Sequence, residues 1–275
     1  IHLQSLYPEV PGTIENDRFG LLEDEVNYIL NDIKNTNMTL TTIHFHQRGF
    51  DYEQGPFQEN FEKAFVNYYV KAAKKYDTVI NFDMGGGTPL PTTNDFDYDT
   101  WAKYVIGLLK ILSKANDVKE PNLMSENGKY SQKDGTVNIY KVITKKYTNE
   151  YPWHIVDGSL LIAMPEAYAL GEPIDVIPLN ELDKPMIKAK LAGVTCDCDD
   201  VFPFEAEYLE LPKTNNDLYI GLIGTGSYQN SMNGKGGIHH CLLPEEQDLV
   251  VDNGKITVRH SLQTIDEIFK MMKLK

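Results

Sequence analysis

The sequence is poor in cysteine, in basic residues and in long apolar runs, and each shortage excludes a class of protein. Three cysteines in 275 residues are too few for a disulfide framework, so we expect a reducing, cytoplasmic compartment. No run approaches the roughly 18–20 apolar residues of a membrane span. Lys and Arg number 26 against 40 Asp and Glu, a net charge of −14. Nucleic acid and membrane are therefore excluded as partners, and a cationic ligand is favoured.

The sequence contains enough apolar residues for a hydrophobic core, and they follow two different patterns along the chain. It is 41% hydrophobic and 11% aromatic, which excludes global disorder. Between residues 21 and 126, apolar residues at helical spacing alternate with short strand-like runs, the pattern of βα units on a parallel sheet. After about residue 131, β-rich runs punctuated by Pro and Gly and a closing amphipathic helix predict a mainly antiparallel β domain.

These patterns predict individual elements and two domains, 1–130 and 131–275. The helices predicted for the first domain cover 22–33, 61–76 and 101–112, and its strands cover 40–45, 78–83 and 122–125. The strands predicted for the second domain cover 137–143, 174–178, 190–195, 218–223 and 255–259. A closed eight-fold barrel needs about 250 residues. We therefore expect the first domain to be the C-terminal part of a barrel whose N-terminal complement lies elsewhere.

Three successive predicted strands end in residues that can carry chemistry, at the place where parallel α/β proteins put their sites. The first ends with His44 and His46, whose imidazoles should point the same way and suit Zn²⁺, or are simply one packed and one loop histidine. The second leads into Gly85–Gly87, here called the glycine turn, whose N–H groups suit a phosphate or merely form a tight turn. The third ends at Glu126, a candidate base, metal ligand or partner of a protonated ring nitrogen.

The second domain has two loops of unusual composition. Thr195–Asp200, here called the thiol loop, joins Cys196 and Cys198 to three aspartates. Cys196 and Cys198 have only one residue between them, which is too close for the usual zinc knuckle. The loop therefore suits a cationic ligand or is a solvated acidic turn. Gly224–Gln229, here called the tyrosine loop, is rich in small residues. A metal site that adds His239, His240 and Cys241 to the other thiols has no supporting spacing.

These motifs, in this order, resemble the pyridoxal-phosphate-dependent basic amino acid decarboxylases that combine a β/α barrel with a β domain (fold type III). Biosynthetic arginine decarboxylase is the most similar branch. The resemblance extends from Arg18 nearly to Cys241. Five ordered motifs carry it, with Met164–Glu166 and Val176–Leu179 between them: Ile43–His46, Asp83–Gly87, Ser125–Lys129, Thr195–Asp197 and Gly226–Gln229.

The resemblance implies a function and a role for each motif. The chain would decarboxylate a basic amino acid, arginine first, in polyamine and spermidine biosynthesis, as a homodimer with shared active sites. Glu126 would pair with the pyridine nitrogen of pyridoxal phosphate, and His46 would stack on its ring. The phosphate would lie against Gly85, Gly86, Gly87, Gly128, Lys129 and Tyr228. Cys196 would protonate the substrate's α-carbon across the dimer interface, while Asp157 and Asp197 would hold the distal cation.

The chain also departs from that family. The family's Schiff-base lysine lies on an early barrel strand, whereas the earliest lysine here is Lys34, inside a predicted helix. Lys129 replaces an arginine, Gln47–Gly49 replaces a Gly-Ser pair, and only Ser131–Pro152 stands where the arginine enzymes have a longer insertion. We therefore expect the chain to need its N-terminal complement for activity. Two alternatives stay open: an inactive regulatory relative that binds a partner, and a metal-dependent barrel hydrolase using His44 and His46.

Overall fold

The chain folds as two units, Ile1–Ser131 (unit 1) and Gln132–Lys275 (unit 2). The computed structural model describes residues 20–46, 54–88, 96–204, 207–229, 232 and 240–273. Within these residues, no helix combines the length and the apolar character that crossing a membrane requires. The predicted motif positions Arg18, Gln47–Gly49 and His239 lie outside the described residues.

In its described residues, unit 1 alternates helices with three short parallel strands. The strands pair in the order β1-β2-β3, with Thr42 opposite Asn81 and Asn81 opposite Asn122. The parallel sheet expected from the sequence is confirmed, although each strand has only three residues. The elements are α1 (Glu23–Asp32), β1 (Thr42–His44), α2 (Gln54–Ala64), α3 (Val70–Lys75), β2 (Asn81–Asp83), α4 (Tyr98–Ala115), β3 (Asn122–Met124) and α5 (Gly128–Gln132).

Local sequence signals explain where the long helix α4 begins and which face it buries. Asp97 caps it, because its Oδ1 accepts from the N–H groups of Asp99 (3.1 Å) and Thr100 (3.4 Å). Its buried residues recur at helical spacing and face the core: Trp101, Val105, Leu108 and Leu109.

The core of unit 1 is aromatic and is centred on Phe82 of β2. Among the described residues, this fully buried ring has four aromatic neighbours with centroids 5.3–5.6 Å away, namely Phe45, Phe61, Phe65 and Tyr69. Side chains alternate along a strand, so the packing of Phe82 fixes the orientation of its neighbour Asp83 as well. The core thereby holds the carboxyl end of β2 in place.

The described part of unit 2 forms a seven-stranded sheet with short helices and a separate hairpin. The strands are β4 (Val137–Tyr147), β5 (Pro152–Val156), β6 (Asp175–Pro178), β7 (Met186–Ala192), β8 (Val201–Phe202), β9 (Leu209–Pro212), β10 (Tyr219–Ile223), β11 (Asp248–Asp252) and β12 (Lys255–His260). The helices are α6 (Leu160–Ala163), α7 (Pro165–Leu170) and α8 (Ile265–Met271). The sheet order is β6-β10-β4-β5-β7-β8 with β9 beside β7, while β11 and β12 pair with each other.

The pairing in unit 2 is antiparallel, as expected, with one exception among the described strands. Strands β5 and β7 are parallel, with His154 opposite Leu191. The predicted strand over 190–195 was wrong at its end, because β7 stops at Ala192 and the chain then turns around the buried Asp200. Strands β5, β8, β9 and β11 and helices α6 and α7 had no counterpart in the sequence prediction.

Candidate functional site

The three strand ends of unit 1 stay hydrogen-bonded beyond the strands themselves. The N–H of Phe45 donates to the carbonyl of Asp83 (2.9 Å), and the N–H of Glu126 donates to the carbonyl of Gly85 (2.9 Å). The segments after β1, β2 and β3 therefore run side by side. As a result, His46, the glycine turn and Glu126 are neighbours just beyond the carboxyl ends of the three strands. This place is here called the unit 1 edge.

The glycine turn is pressed between the segments on either side of it. Gly85 has φ +71°, and a Cβ there would lie 2.6 Å from Nδ1 of His46. A Cβ on Gly86 would lie 2.6 Å from the carbonyl oxygen of Glu126. Gly87 is also left-handed, with φ +88°. Glycine is therefore required here by close approach and by backbone conformation.

Two N–H groups of the glycine turn have acceptors inside unit 1. The N–H of Gly85 donates to Oδ1 of Asp83 (3.0 Å), and the N–H of Gly86 donates to Nδ1 of His46 (3.2 Å). These bonds fix the turn and the His46 ring relative to each other. An anion that used both N–H groups would have to displace Asp83 and His46.

The two histidines of the first motif have different partners. Nδ1 of His44 lies 3.1 Å from Oδ2 of Asp83, a buried carboxylate. His44, Asp83 and Glu126 each offer a ligand atom, and these atoms lie within 4.8 Å of one another. His46 is not in that group; its Nδ1 accepts from the N–H of Gly86. Among the described residues, the cluster at this place therefore consists of one imidazole and two carboxylates, and the pairing of His44 with His46 stays a prediction.

The segment after β3 is tied down by Asn127, to which the sequence assigned no role. Its Nδ2 donates to the hydroxyls of Tyr98 (3.2 Å) and Ser125 (3.0 Å), and Thr88 donates to its Oδ1. Gly128 starts α5 with open space around it, so its lack of a side chain has no steric reason here. The half-buried Lys129 follows it. Asn127 lies inside the Ser125–Lys129 motif, and this position in the motif was the one sequence signal that could have indicated its role.

The predicted residues Asp157, Cys196 and Asp197 of unit 2 also follow parallel strands. Asp157 comes directly after β5, and the thiol loop follows β7. The N–H of Val194 donates to the carbonyl of Gly158 (3.0 Å), so the two segments stay paired beyond the strands. Oδ1 of Asp157 accepts from the N–H of Lys141 (2.8 Å), and this carboxylate is exposed.

The thiol loop is built around Asp200, a residue that sequence reasoning missed. Asp200 is 2% exposed. Its carboxylate accepts from the N–H of Leu161 (3.1 Å) and the hydroxyl of Thr195 (2.7 Å), and its carbonyl accepts from the N–H of Gly193 (2.8 Å). Cys196 remains exposed on this loop. Its hydrogen bond with Cys241 is the main cause that raises the pKa of the Cys196 thiol above its ordinary value.

The tyrosine loop is held in a left-handed turn by a buried amide. Tyr228 has φ +60° and Gln229 has φ +22°. Gln229 is fully buried, and its Nε2 donates to Oε2 of the buried Glu166 (2.9 Å). The bond joins two sequence motifs that lie 63 residues apart. Tyr228 is left exposed.

An acidic groove of about 860 Å³ lies inside unit 2. Asp157, Glu245 and Asp248 line it, with Arg259 and His260 among the other lining residues. Glu246 also lines it and is held by Asn138 and Tyr140; burial raises the pKa values of both Glu246 and Tyr140. Of the described site residues predicted for unit 2, only Asp157 lines this groove; Cys196, Asp197 and Tyr228 do not.

Comparison with known proteins gives consistent relatives but no matching family model. The chain is 23% identical over 260 residues to diaminopimelate decarboxylase of Methanothermobacter thermautotrophicus, covering 93% of this chain and 59% of that protein. It is 27% identical over 130 residues to biosynthetic arginine decarboxylase of Pseudomonas putida, covering 44% of this chain and 20% of that protein. The chain thus spans less than two thirds of the length of either relative.

Solved structures show the same fold. Diaminopimelate decarboxylase of M. jannaschii in complex with L-lysine superposes with a TM-score of 0.78 at 18% identity, covering 94% of this chain and 58% of that one. Biosynthetic arginine decarboxylase of Campylobacter jejuni gives 0.76 at 17% identity, covering 94% and 60%. Both comparisons point to the diaminopimelate and arginine decarboxylases, and so confirm the resemblance of this chain to the fold type III pyridoxal-phosphate-dependent decarboxylases.

Proposed function

We propose that this chain is part of a pyridoxal-phosphate-dependent decarboxylase that acts on an amino acid with a basic distal group. One observation carries the proposal: His46, the glycine turn and Glu126 meet at neighbouring ends of three parallel strands. These residues offer an aromatic ring, a turn of backbone N–H groups and a carboxylate within one edge. Pyridoxal phosphate presents a flat ring, a phosphate and a basic ring nitrogen, and these match the three features.

The shape of the glycine turn supports a phosphate contact. Added Cβ atoms at Gly85 and Gly86 would meet neighbouring atoms at 2.6 Å, so only glycine keeps the backbone within reach of an anion there. The N–H of Gly86 donates to Nδ1 of His46 at 3.2 Å. A phosphate oxygen is the stronger acceptor, because the bond is then charge-assisted. Exchange of that bond would release His46 for contact with the cofactor ring. Lys129 would add charge but not a bidentate fork.

Glu126 supports the contact to the ring nitrogen. Its carboxylate is exposed and lies within 4.8 Å of ligand atoms of His44 and Asp83. A carboxylate there would hold a proton on the pyridine nitrogen, and bound pyridoxal phosphate supplies the electron sink for loss of CO₂. Gly128 and Tyr228 complete the proposed cofactor set.

Unit 2 would supply the proton and the substrate carboxylates. Because its hydrogen bond with Cys241 raises the pKa of the Cys196 thiol, Cys196 keeps the proton that it would donate to the α-carbon. Asp157 and Asp197 would bind the distal cation of the substrate by charge-assisted hydrogen bonds. We assign these residues to an active site shared between the subunits of a cytoplasmic homodimer.

Two amino acids are the leading candidate substrates. The motifs favour L-arginine, whereas the relative that covers 93% of this chain is a diaminopimelate decarboxylase. The test is an assay of CO₂ release from L-arginine, meso-diaminopimelate, L-ornithine and L-lysine, using the protein with any further segment that its gene encodes. We expect release from one of the first two and an imine absorbance that borohydride removes. Saturable cofactor binding without CO₂ release would instead identify an inactive, regulatory relative.

A metal-dependent hydrolase is the second candidate, and the His44–Asp83–Glu126 cluster favours it. One imidazole and two carboxylates form a suitable ligand set for a divalent cation. Metal analysis of the purified protein separates the two candidates. Stoichiometric zinc that is lost in His44→Ala would support the hydrolase. Binding of pyridoxal phosphate that is weakened in Gly86→Ala would support the decarboxylase, because a metal site of this kind does not use the glycine turn.

A further inference from the structure

Two thiols that are far apart in the sequence lie next to each other in unit 2. The Sγ atoms of Cys196 and Cys241 are 3.6 Å apart across 45 residues. Both side chains are exposed, and no disulfide joins the three cysteines. Cys198 is only two positions from Cys196, yet its Sγ donates to Oδ1 of Asp199 at 3.7 Å. The fold therefore selects the partner that is distant in the sequence.

We propose that Cys196 and Cys241 form a reversible intrachain disulfide when the chain meets a peroxide. One thiol attacks a peroxide oxygen, becomes a sulfenic acid and releases one water. The second thiol then displaces the hydroxyl from that sulfur, forms the S–S bond and releases a second water. The balance is two thiols and one hydrogen peroxide giving one disulfide and two waters, and a dithiol reductant reverses it.

The geometry requires little movement. A disulfide has an S–S distance of about 2.05 Å, so the two sulfur atoms must approach by roughly 1.5 Å, which side-chain rotation can supply. The thiol loop is anchored below Cys196 by the carboxylate of Asp200 and its bonds to Leu161 and Thr195. Because that anchor holds the loop, Cys196 is presented to Cys241 at high effective concentration.

The chemical test uses the chain as it exists and needs no activity. The reduced chain is treated with one equivalent of hydrogen peroxide and alkylated, and its mass and peptides are measured. We expect loss of two of the three alkylatable thiols, a peptide pair joined through Cys196 and Cys241, and full reversal by dithiothreitol. Cys198→Ser is the matched control and should behave like the parent, whereas Cys241→Ser should form no internal disulfide.

A comparison with the unfolded chain isolates the contribution of the fold. In denaturant, Cys196 is nearest in sequence to Cys198, so the Cys196–Cys241 link should form at least about tenfold more slowly than in the folded protein. The inference is overturned if the folded chain links Cys196 to Cys198, if only intermolecular disulfides form, or if the thiols oxidise independently to sulfinic acids. It is also overturned if all three thiols remain alkylatable after peroxide treatment.

A regulatory consequence follows only if the proposed function holds. A disulfide removes the proton that Cys196 would donate, so peroxide should lower CO₂ release by at least about tenfold, and dithiothreitol should restore it. Cys198→Ser should show the same reversible loss as the parent, because Cys198 takes no part in the disulfide. If no CO₂ is released before oxidation, the proposed function fails while the disulfide can still be found. If the disulfide is not found, the present inference fails while the decarboxylase can stand.

Discussion

Both units place their reactive side chains after parallel strands, but they fix them by different means. In unit 1, backbone N–H groups hold the site: one backbone bond joins the glycine turn to Glu126, and the N–H of Gly86 donates to the ring of His46. In unit 2, buried side chains hold the loops: Asp200 under the thiol loop, and Gln229 with Glu166 under the tyrosine loop. A site held by backbone should respond most to steric changes, and a site held by buried polar groups to loss of a single hydrogen-bonding atom.

The largest expected effect is on the aromatic core beneath the unit 1 site. Phe82→Ala removes a fully buried ring with four aromatic neighbours, and should lower the unfolding free energy by about 3–5 kcal/mol. The exposed Ile111→Ala should change it by less than about 0.5 kcal/mol. The fluorescence of Trp101 reports the unfolding of unit 1, and that of Trp153 reports the unfolding of unit 2. Each tryptophan is studied in a variant in which the other is replaced by Phe. Equal shifts of both fluorescence transitions would contradict the separation of the two cores.

The second effect is a loss of stability in acid that originates in unit 2. Burial and the nearby Lys145 charge lower the pKa of His154 from 6.5 to about 4. The unfolded chain then takes up a proton at higher pH than the folded chain, so stability is complete above pH 6.5 and falls as the pH drops to 4. The expected loss is about 3 kcal/mol. Unfolding measured at pH 7 and pH 4 should show a smaller loss in His154→Leu, while the exposed His260→Ala should match the parent. An unchanged loss in His154→Leu would refute this assignment.

The third effect tests the buried carboxylate of unit 2. Asp200→Ala leaves the N–H of Leu161 and the hydroxyl of Thr195 without their acceptor, and should cost about 2–3 kcal/mol. It should also slow formation of the Cys196–Cys241 disulfide, because the loop loses its anchor. Denaturation and thiol alkylation measure the two effects. Asp199→Ala, on the exposed side of the same loop, should show neither; equal effects from both variants would remove the special role of Asp200.

The smallest effect compares two glycines of unit 1. Gly86→Ala should destabilise the protein by about 1–2 kcal/mol, because its Cβ would lie 2.6 Å from the carbonyl oxygen of Glu126. Gly107 lies inside α4, where an added Cβ would have no described atom from outside the helix's own backbone within 4 Å, so Gly107→Ala should stabilise the protein by about 0.5–1 kcal/mol. Denaturant titration checks both signs. A neutral Gly86→Ala would mean that the turn is not pressed against its neighbour.

The sequence predicts the fold and the site of unit 1 more completely than those of unit 2, and the reason is physical. In unit 1, the parallel sheet and the meeting of three motifs followed from local patterns, because adjacent parallel strands bring the residues after them together. The pairing of His44 with Asp83 could not follow from an alternation rule, since it joins side chains of two different strands.

In unit 2, the contacts that the sequence did not predict join residues that are far apart along the chain. The parallel pairing of β5 with β7 is separated in sequence by α6, α7 and β6, and no local pattern encodes it. Gln229 and Glu166 are 63 residues apart, and Cys196 and Cys241 are 45 apart. A buried hydrogen bond of this kind depends on the packed fold, so the motifs that contain these residues could be recognised before their contacts could be predicted.

The unit 1 edge is proposed to bind the phosphate and the ring nitrogen of the cofactor. The most direct measurement is calorimetric titration of the chain with pyridoxamine 5′-phosphate, which has both groups but no aldehyde to react with surface lysines. We predict saturable one-to-one binding that is weakened at least about tenfold by Gly86→Ala and by Glu126→Gln, and unchanged by Gly107→Ala. The absence of saturable binding, or equal affinity in all four proteins, would contradict the account.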